Sequence, residues 1–187
     1  MTMPEHTEHP DTLYRAAQEG SMTIEFALIF LLLFFIVFAM LNLGMIFAAQ
    51  QSINYASQES SRSILTFYPP GHFTPNEIQN KKAERALKLA QEQTNWINTL
   101  AQEINGTTSN IVHITICGAD QPLAKNNDAL RCDLTPVLNK HEIAVKIEYD
   151  YGQFPLIPSL GLLSLYELAF SQLKLNNTQR IRTSEVW

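Results

Sequence analysis

From Phe26 to Ala49 the chain runs 24 residues without a charged side chain, and a single acid, Glu25, stands at the threshold of that run. At about 1.5 Å per residue a helix of this length reaches about 36 Å, more than the roughly 30 Å hydrocarbon core of a bilayer. A helix satisfies its own backbone hydrogen bonds, so it is the form such a segment keeps in lipid. Only Asn42 and Gly44 interrupt the series of Leu, Ile, Phe, Val, Ala and Met, and the pattern predicts a transmembrane helix. A secretory signal cut near Phe47-Ala48-Ala49, releasing a soluble exported domain, fits less well. Its apolar core would span about 7 to 15 residues behind a basic leader, whereas residues 1–20 carry Glu5, Glu8, Asp11 and Glu19 against Arg15 alone. A lipoprotein anchor is excluded because the first cysteine is Cys117.

The flanking basic residues, Arg15 and Arg62, balance one another and leave orientation open. The cysteines break the tie. Cys117 and Cys132 are the only two, both come after the span, and an oxidising compartment on that side lets them pair. The expected topology therefore has a cytoplasmic N-terminus and the bulk of the chain outside. With 13 basic and 18 acidic side chains the net charge is -5, and no basic stripe points to nucleic acid. The chain beyond residue 62 is long enough for one small domain with its own core.

Past Ala49 the helical pattern continues to Tyr68, where Pro69-Pro70-Gly71 breaks it. Thr74-Pro75-Asn76-Glu77 then supplies a helix start, with Thr74 as N-cap, Pro75 at the first helical position and Glu77 closing a capping box. Ala86, Leu87, Ala90, Thr94, Ile97, Leu100, Ala101 and Ile104 form one apolar stripe, and Lys81, Lys82, Arg85, Lys88 and Glu92 form the opposite, solvated face. Gly106 suits a left-handed C-cap. From Ile111 the period becomes two, with Val112, Ile114 and Ile116 opposite His113, Thr115 and Cys117. A second strand alternates Ile143, Val145, Ile147, Tyr149 and Tyr151 with Ala144, Lys146, Glu148 and Asp150, one face dry and the other wet. Residues 168–175 and 178–183 are expected to close the sheet as a hairpin around Asn176-Asn177.

The polar stretch from Gly118 to Arg131 reads as an exposed excursion, tied off by a structural Cys117–Cys132 disulfide. The pair lacks the Cys-x-x-Cys spacing of a redox site and matched histidines for a metal. His6, His9, His72, His113 and His141 are scattered, and no phosphate loop, nucleophile elbow or zinc pattern occurs, so no enzyme, cofactor or metal is expected. Tyr149, Tyr151 and Phe154 read as core. Glu25 is the residue that asks for a reason, since a carboxylate drawn to mid-bilayer costs roughly 2.5 to 3.5 kcal/mol. Either it is an ordinary interfacial acid, or cleavage after Gly20 exposes an ammonium on Ser21 that pairs with Glu25 of a neighbouring copy and fixes axial register in a helix bundle.

Gly20 followed by Glu25-Phe26 resembles the processing site of type IV pilin-like proteins, with the acid at the fifth position after the cut. Glu25-Phe26-Ala27-Leu28, then Leu43-Gly44, then Ala56 and Arg62, is similar to the TadE family of minor pilins, or pseudopilins, of tight-adherence (Flp) pilus systems, TadF included. Leu31 stands where the family often has proline and Asn42 where it often has an acid, and the leader is not basic. The resemblance implies a bacterial inner-membrane protein cut by a prepilin peptidase between Gly20 and Ser21. Its partners would be other pilins and pseudopilins and the inner-membrane platform of the pilus, and Glu25, Phe26, Asn42, Gly44 and Arg62 would serve assembly. The expected organisation is a leader over 1–20, a transmembrane helix with its amphipathic extension over 21–62, and a periplasmic α+β domain over 63–187 with one further helix and an antiparallel sheet. The alternative is a single-span envelope protein with an outer binding domain, neither processed nor part of a pilus.

Overall fold

The computed structural model describes residues 11–119, 121–127, 131–139, 142–158 and 170–182, with side chains from Met22 onward. Two helices, α1 (Asp11–Thr66) and α2 (Pro75–Asn105), precede a sheet of four strands, β1 (Val112–Cys117), β2 (Pro122–Lys125), β3 (Glu142–Asp150) and β4 (Lys174–Arg182). The class is α+β, as the alternation of patterns predicts. The chain divides into two units between Leu43 and Gly44. Within the first unit α1 keeps its apolar side chains exposed, among them Phe26 at 69% and Met40 at 67%.

In the second unit α1 becomes one-sided. Ala49, Ile53, Ala56, Ser57, Ser60, Ser61 and Ile64 recur at three- and four-residue spacing and are buried, while Tyr55 and Leu65 stay outside. The buried face of α2 is equally small, built on Ala83, Ala86, Ala90, Thr94, Ile97, Asn98 and Ala101. The helices are bonded directly: Ser52 Oγ donates to the Gln93 carbonyl at 2.9 Å and accepts from Trp96 Nε1 at 3.0 Å. Helix α1 ends at Thr66, two residues short of the expected Tyr68, because the backbone ahead of Pro69 leaves the helical region. The turn after it is bordered by cations seated on rings, with Lys81 4.7 Å from the centre of Phe73, Lys82 5.8 Å from Tyr68 and Arg85 5.1 Å from Phe67. Part of the charged face of α2 is thus occupied rather than merely solvated.

The ends of α2 are as its residues require. Glu77 Oε2 accepts from the Thr74 backbone N–H and hydroxyl, both at 2.8 Å, the Thr74 hydroxyl accepts from the Glu77 N–H, and Gly106 takes the left-handed conformation at φ 63°. Beyond it, Asn98 Oδ1 accepts the N–H groups of Ile111 and Val112 at 3.0 and 2.9 Å, seating the start of β1 on α2.

The sheet is antiparallel throughout, in the order β2-β1-β3-β4. Ile114 pairs with Ile147, Ile116 with Val145 and Val112 with Tyr149, and all six join Ile53, Ala90 and Ile97 in one core. Tyr149 and Tyr151 are buried edge to face at 6.1 Å, and Phe154 packs against the same core, as expected. The Tyr149 hydroxyl donates to the Phe154 carbonyl, and burial pushes its pKa up, so it keeps its proton.

Two expectations for the sheet are corrected. The stretch after Gly118 is not wholly an excursion, since Pro122–Lys125 forms the edge strand β2, with proline at its first position where no ladder donor is needed. Asn126 then substitutes for a further strand residue, its Nδ2 donating to the Val112 carbonyl at 2.7 Å and its Oδ1 accepting the Ile114 N–H at 2.9 Å. Nor does Asn176-Asn177 turn a hairpin. Both lie inside β4, opposite Glu148 and Ile147, and Asn177 Nδ2 reaches Asn54 Oδ1 of α1 at 2.5 Å. Pairing along nine residues of β3 outweighs the local turn preference of two asparagines. Positions 168, 169 and 183 of that expectation lie outside the described residues.

Gly152 comes just after β3 with its N–H on the Leu173 carbonyl at 3.1 Å. A Cβ there would lie 2.5 Å from the Ser171 carbonyl oxygen and 2.7 Å from that of Phe170. Gly152→Ala should therefore destabilise the domain by about 1–3 kcal/mol, the usual range for overpacking, measured by denaturant unfolding in detergent. Hydrogen bonds from Thr74 hold the Glu77 carboxyl below the ordinary carboxylate range, and the Asn139 N–H, followed by Arg182, does the same for Glu142. A folded-state pKa below the unfolded one adds stability that is complete above the unfolded value and is lost as pH falls through the folded value. Stability should decline as acid is added below pH 4.5, the ordinary value for these groups, and Glu77→Gln combined with Glu142→Gln should flatten that decline in pH-dependent unfolding.

Candidate functional site

The residues singled out by sequence fall in two places. The first is the exposed face of α1. Ser21 and Glu25 are four residues apart, which puts them on one helix face about 6 Å apart along the axis. Glu25 is exposed and makes no ion pair with any described residue. Phe26 stacks on Phe30 at 6.2 Å and Phe34 on Phe38 at 6.3 Å, so aromatic pairs one turn apart rib the apolar surface. Backbone continuity through Gly20 and Ser21 is unbroken, both lying within α1.

Asn42 differs from its neighbours. It is 2% exposed, its Nδ2 donates to the Phe38 carbonyl one turn back at 2.9 Å, and its Oδ1 has no partner among the described residues. Donating to its own helix lowers the cost of an amide in apolar surroundings, and the unused acceptor remains a demand for a hydrogen bond. At Gly44 a Cβ would meet nothing within 4 Å, so its own chain does not require glycine there. Arg62 is exposed near the end of α1, its carbonyl accepting from the Thr66 hydroxyl at 3.0 Å.

The second place is the disulfide. Cys117 and Cys132 are bonded, with Cα atoms 5.7 Å apart. Cys117 is the last residue of β1, and the bond draws the segment 131–139 over the sheet face that α2 leaves uncovered. Cys117, Leu138 and Ala144 are buried there with Cys132 and Leu134 beside them. This explains why Ala144, placed by alternation on a wet face, is buried. Sequence reasoning missed the cover because the apolar residues of 131–139 show no period.

Among the described residues no three His, Cys, Asp or Glu side chains converge as a metal site. His72 is exposed at the turn between the helices, and His113 stands partly buried on β1 with an unpartnered Nδ1. The polar groups that do cluster were not foreseen: Gln50, Asn54, Asn176 and Asn177 knit α1 to β4. Asparagine and glutamine at helical spacing carry no sign in sequence that they face a strand more than 120 residues away.

Fold and site together fit a single-span membrane protein with a C-terminal domain. Among the described residues, one helix is long and apolar enough to cross a bilayer, and it lies near the N-terminus ahead of an α+β domain. Residues 20–62 match the family model described as TadE-like protein, as the Gly20 to Arg62 pattern leads one to expect. That match covers under a quarter of the chain. No curated protein and no solved structure matches.

Closing a loop over a separation of 15 residues contributes about 3 kcal/mol in the chain-entropy account. Replacing Cys117 and Cys132 together by alanine should lower the unfolding free energy by about that amount or more, since a buried cluster is opened as well, and equilibrium unfolding in detergent checks it.

Proposed function

We propose that this chain is a minor pilin-like protein, a pseudopilin, that acts in assembly or export of a tight-adherence type IV pilus. The observation that carries the reading is the TadE-like match over residues 20–62, which falls on a helix whose apolar surface is exposed from the Glu25 threshold onward. A helix apolar on every side needs lipid or other helices around it, and a pilus bundle offers both in turn.

On this reading a prepilin peptidase removes residues 1–20, cutting between Gly20 and Ser21, and the new ammonium of Ser21 pairs with Glu25 of an adjacent subunit. Neutralising both groups lets the helix ends enter the bundle in register. The run from Phe26 to Ala49 packs against other pilins and pseudopilins, with Asn42, Gly44 and Arg62 as further contacts. The chain spans the bacterial inner membrane once, and its C-terminal domain is periplasmic, where the disulfide persists. The inner-membrane platform proteins complete the partner set, and the role is assembly, without catalysis. The protein then acts in the fibre or at its base.

A second reading keeps the span and drops the processing: a single-span envelope protein with an outer binding domain. Its support is that the family match ends at residue 62 and leaves the C-terminal domain outside it. Intact mass separates the two. Co-expression with the cognate peptidase should give a chain beginning at Ser21, and Gly20→Ala should retain the leader; a full-length chain in both cases would exclude the pseudopilin. Glu25→Ala should insert normally and lose co-purification with partner pilins, while unchanged co-purification would remove the register role.

A further inference from the structure

Among the described residues β4 pairs with β3 alone and so forms one edge of the sheet. In an antiparallel ladder each residue exchanges both backbone bonds with a neighbour or turns both away, in alternation. The Asn176 carbonyl accepts from Gln50 Nε2 of α1 at 3.4 Å. The backbone of Ile114 bonds to Asn126 on the β2 side, so alternation through β3 puts Asn176 in the outward set, and Thr178, Arg180 and Arg182 share its parity. Helix α1 covers the edge at Asn176, and its other bond to β4 is to the Asn177 side chain. Among the described residues nothing bonds to the outward backbone groups of Thr178 and Arg180.

The side chains of Asn176, Thr178 and Arg180 face a shallow groove of about 520 Å³ on the outer side of the sheet. Its floor is Lys146 and Glu148, which neutralise each other at 2.9 Å, and its far wall begins at Asp133, held in place by the neighbouring Cys132. On β4 itself there are three cations and no acid. Lys174 is balanced by Asp150 at 3.5 Å and Arg182 by Glu142 at 3.4 Å, while Arg180 is exposed with no carboxylate partner among the described residues. Antiparallel pairing with a second copy centred on Arg180 would set cation against cation, which disfavours that register. We propose that the outer edge of β4 receives an extended segment of another protein as an added strand, with an acidic side chain set against Arg180. Main-chain bonds to Thr178 and Arg180 hold the segment, and the opposed charge selects it.

The test uses the full chain in neutral-detergent micelles and two synthetic peptides, Thr-Glu-Val-Thr-Val-Glu-Thr and its counterpart with lysine for glutamate, with amide hydrogen exchange as the readout. The acidic peptide should slow exchange at Thr178 and Arg180 by about tenfold or more, and the basic one should leave it unchanged. Arg180→Glu should weaken the acidic peptide by about fivefold, the upper end for one cross-strand charge pair, and favour the basic one. Thr178→Pro removes an outward donor at an edge position where proline is tolerated, and should abolish protection with an unchanged circular dichroism spectrum. Equal protection by both peptides, protection by neither, or binding that leaves these amides exchanging freely would overturn the proposal. So would protection without peptide that rises with protein concentration, which would assign the edge to a second copy.

Discussion

One helix carries two incompatible surroundings, and the structure depends on how its side chains change along its length. From Phe26 to Leu41 the residues of α1 are mostly large, apolar and exposed; from Ala49 the helix buries one side only, and most of the side chains on that side are small. The backbone does not register the difference, because every interior N–H and C=O is bonded within the helix in lipid or in water. What changes is the partner of the side chains. Leu, Ile and Phe are stable against hydrocarbon, whereas Ala and Ser allow a second helix to approach until Ser52 bonds to the backbone of α2.

The domain around the later part of α1 is closed by carboxamides acting as backbone. Asn98 takes the amides of Ile111 and Val112 where β1 begins, Asn126 completes the ladder where β2 stops, and Asn54 with Asn177 joins helix to strand. Asn98 and Asn126 replace backbone partners that the chain cannot supply at those points, and a buried amide left unpaired there would cost about 1–3 kcal/mol. The disulfide does on the outer face what α2 does on the inner one, holding an irregular segment over apolar atoms.

Features governed by local chemistry were readable from sequence. Thr74, Pro75, Glu77 and Gly106 fixed both ends of α2 because caps act within four residues, and the alternation from Ile143 to Tyr151 gave β3 because its inner face is uniformly apolar. Features governed by distant partners were not. Strand β2 is four residues with intermediate burial, too short for a period, and β4 presents Asn177 and Gln179 to the core side, so its alternation is muted. At the candidate site Gly20, Glu25, Phe26 and Arg62 were readable as one linear pattern, while the burial of Asn42 and the open edge at Arg180 depend on three-dimensional placement.

The change of surroundings along α1 is open to direct measurement by scanning nitroxide labels from Met22 to Thr66 in bilayer nanodiscs and comparing collision rates with oxygen and with a water-soluble nickel chelate. Oxygen should dominate at successive positions from Phe26 to Leu41. Beyond Gln50 the nickel signal should rise and oscillate with the helical period, with minima at Ile53, Ala56, Ser57 and Ser60. Nickel access throughout the apolar run, or a flat profile beyond Gln50, would contradict a single helix that is lipid-facing at one end and the core of a domain at the other.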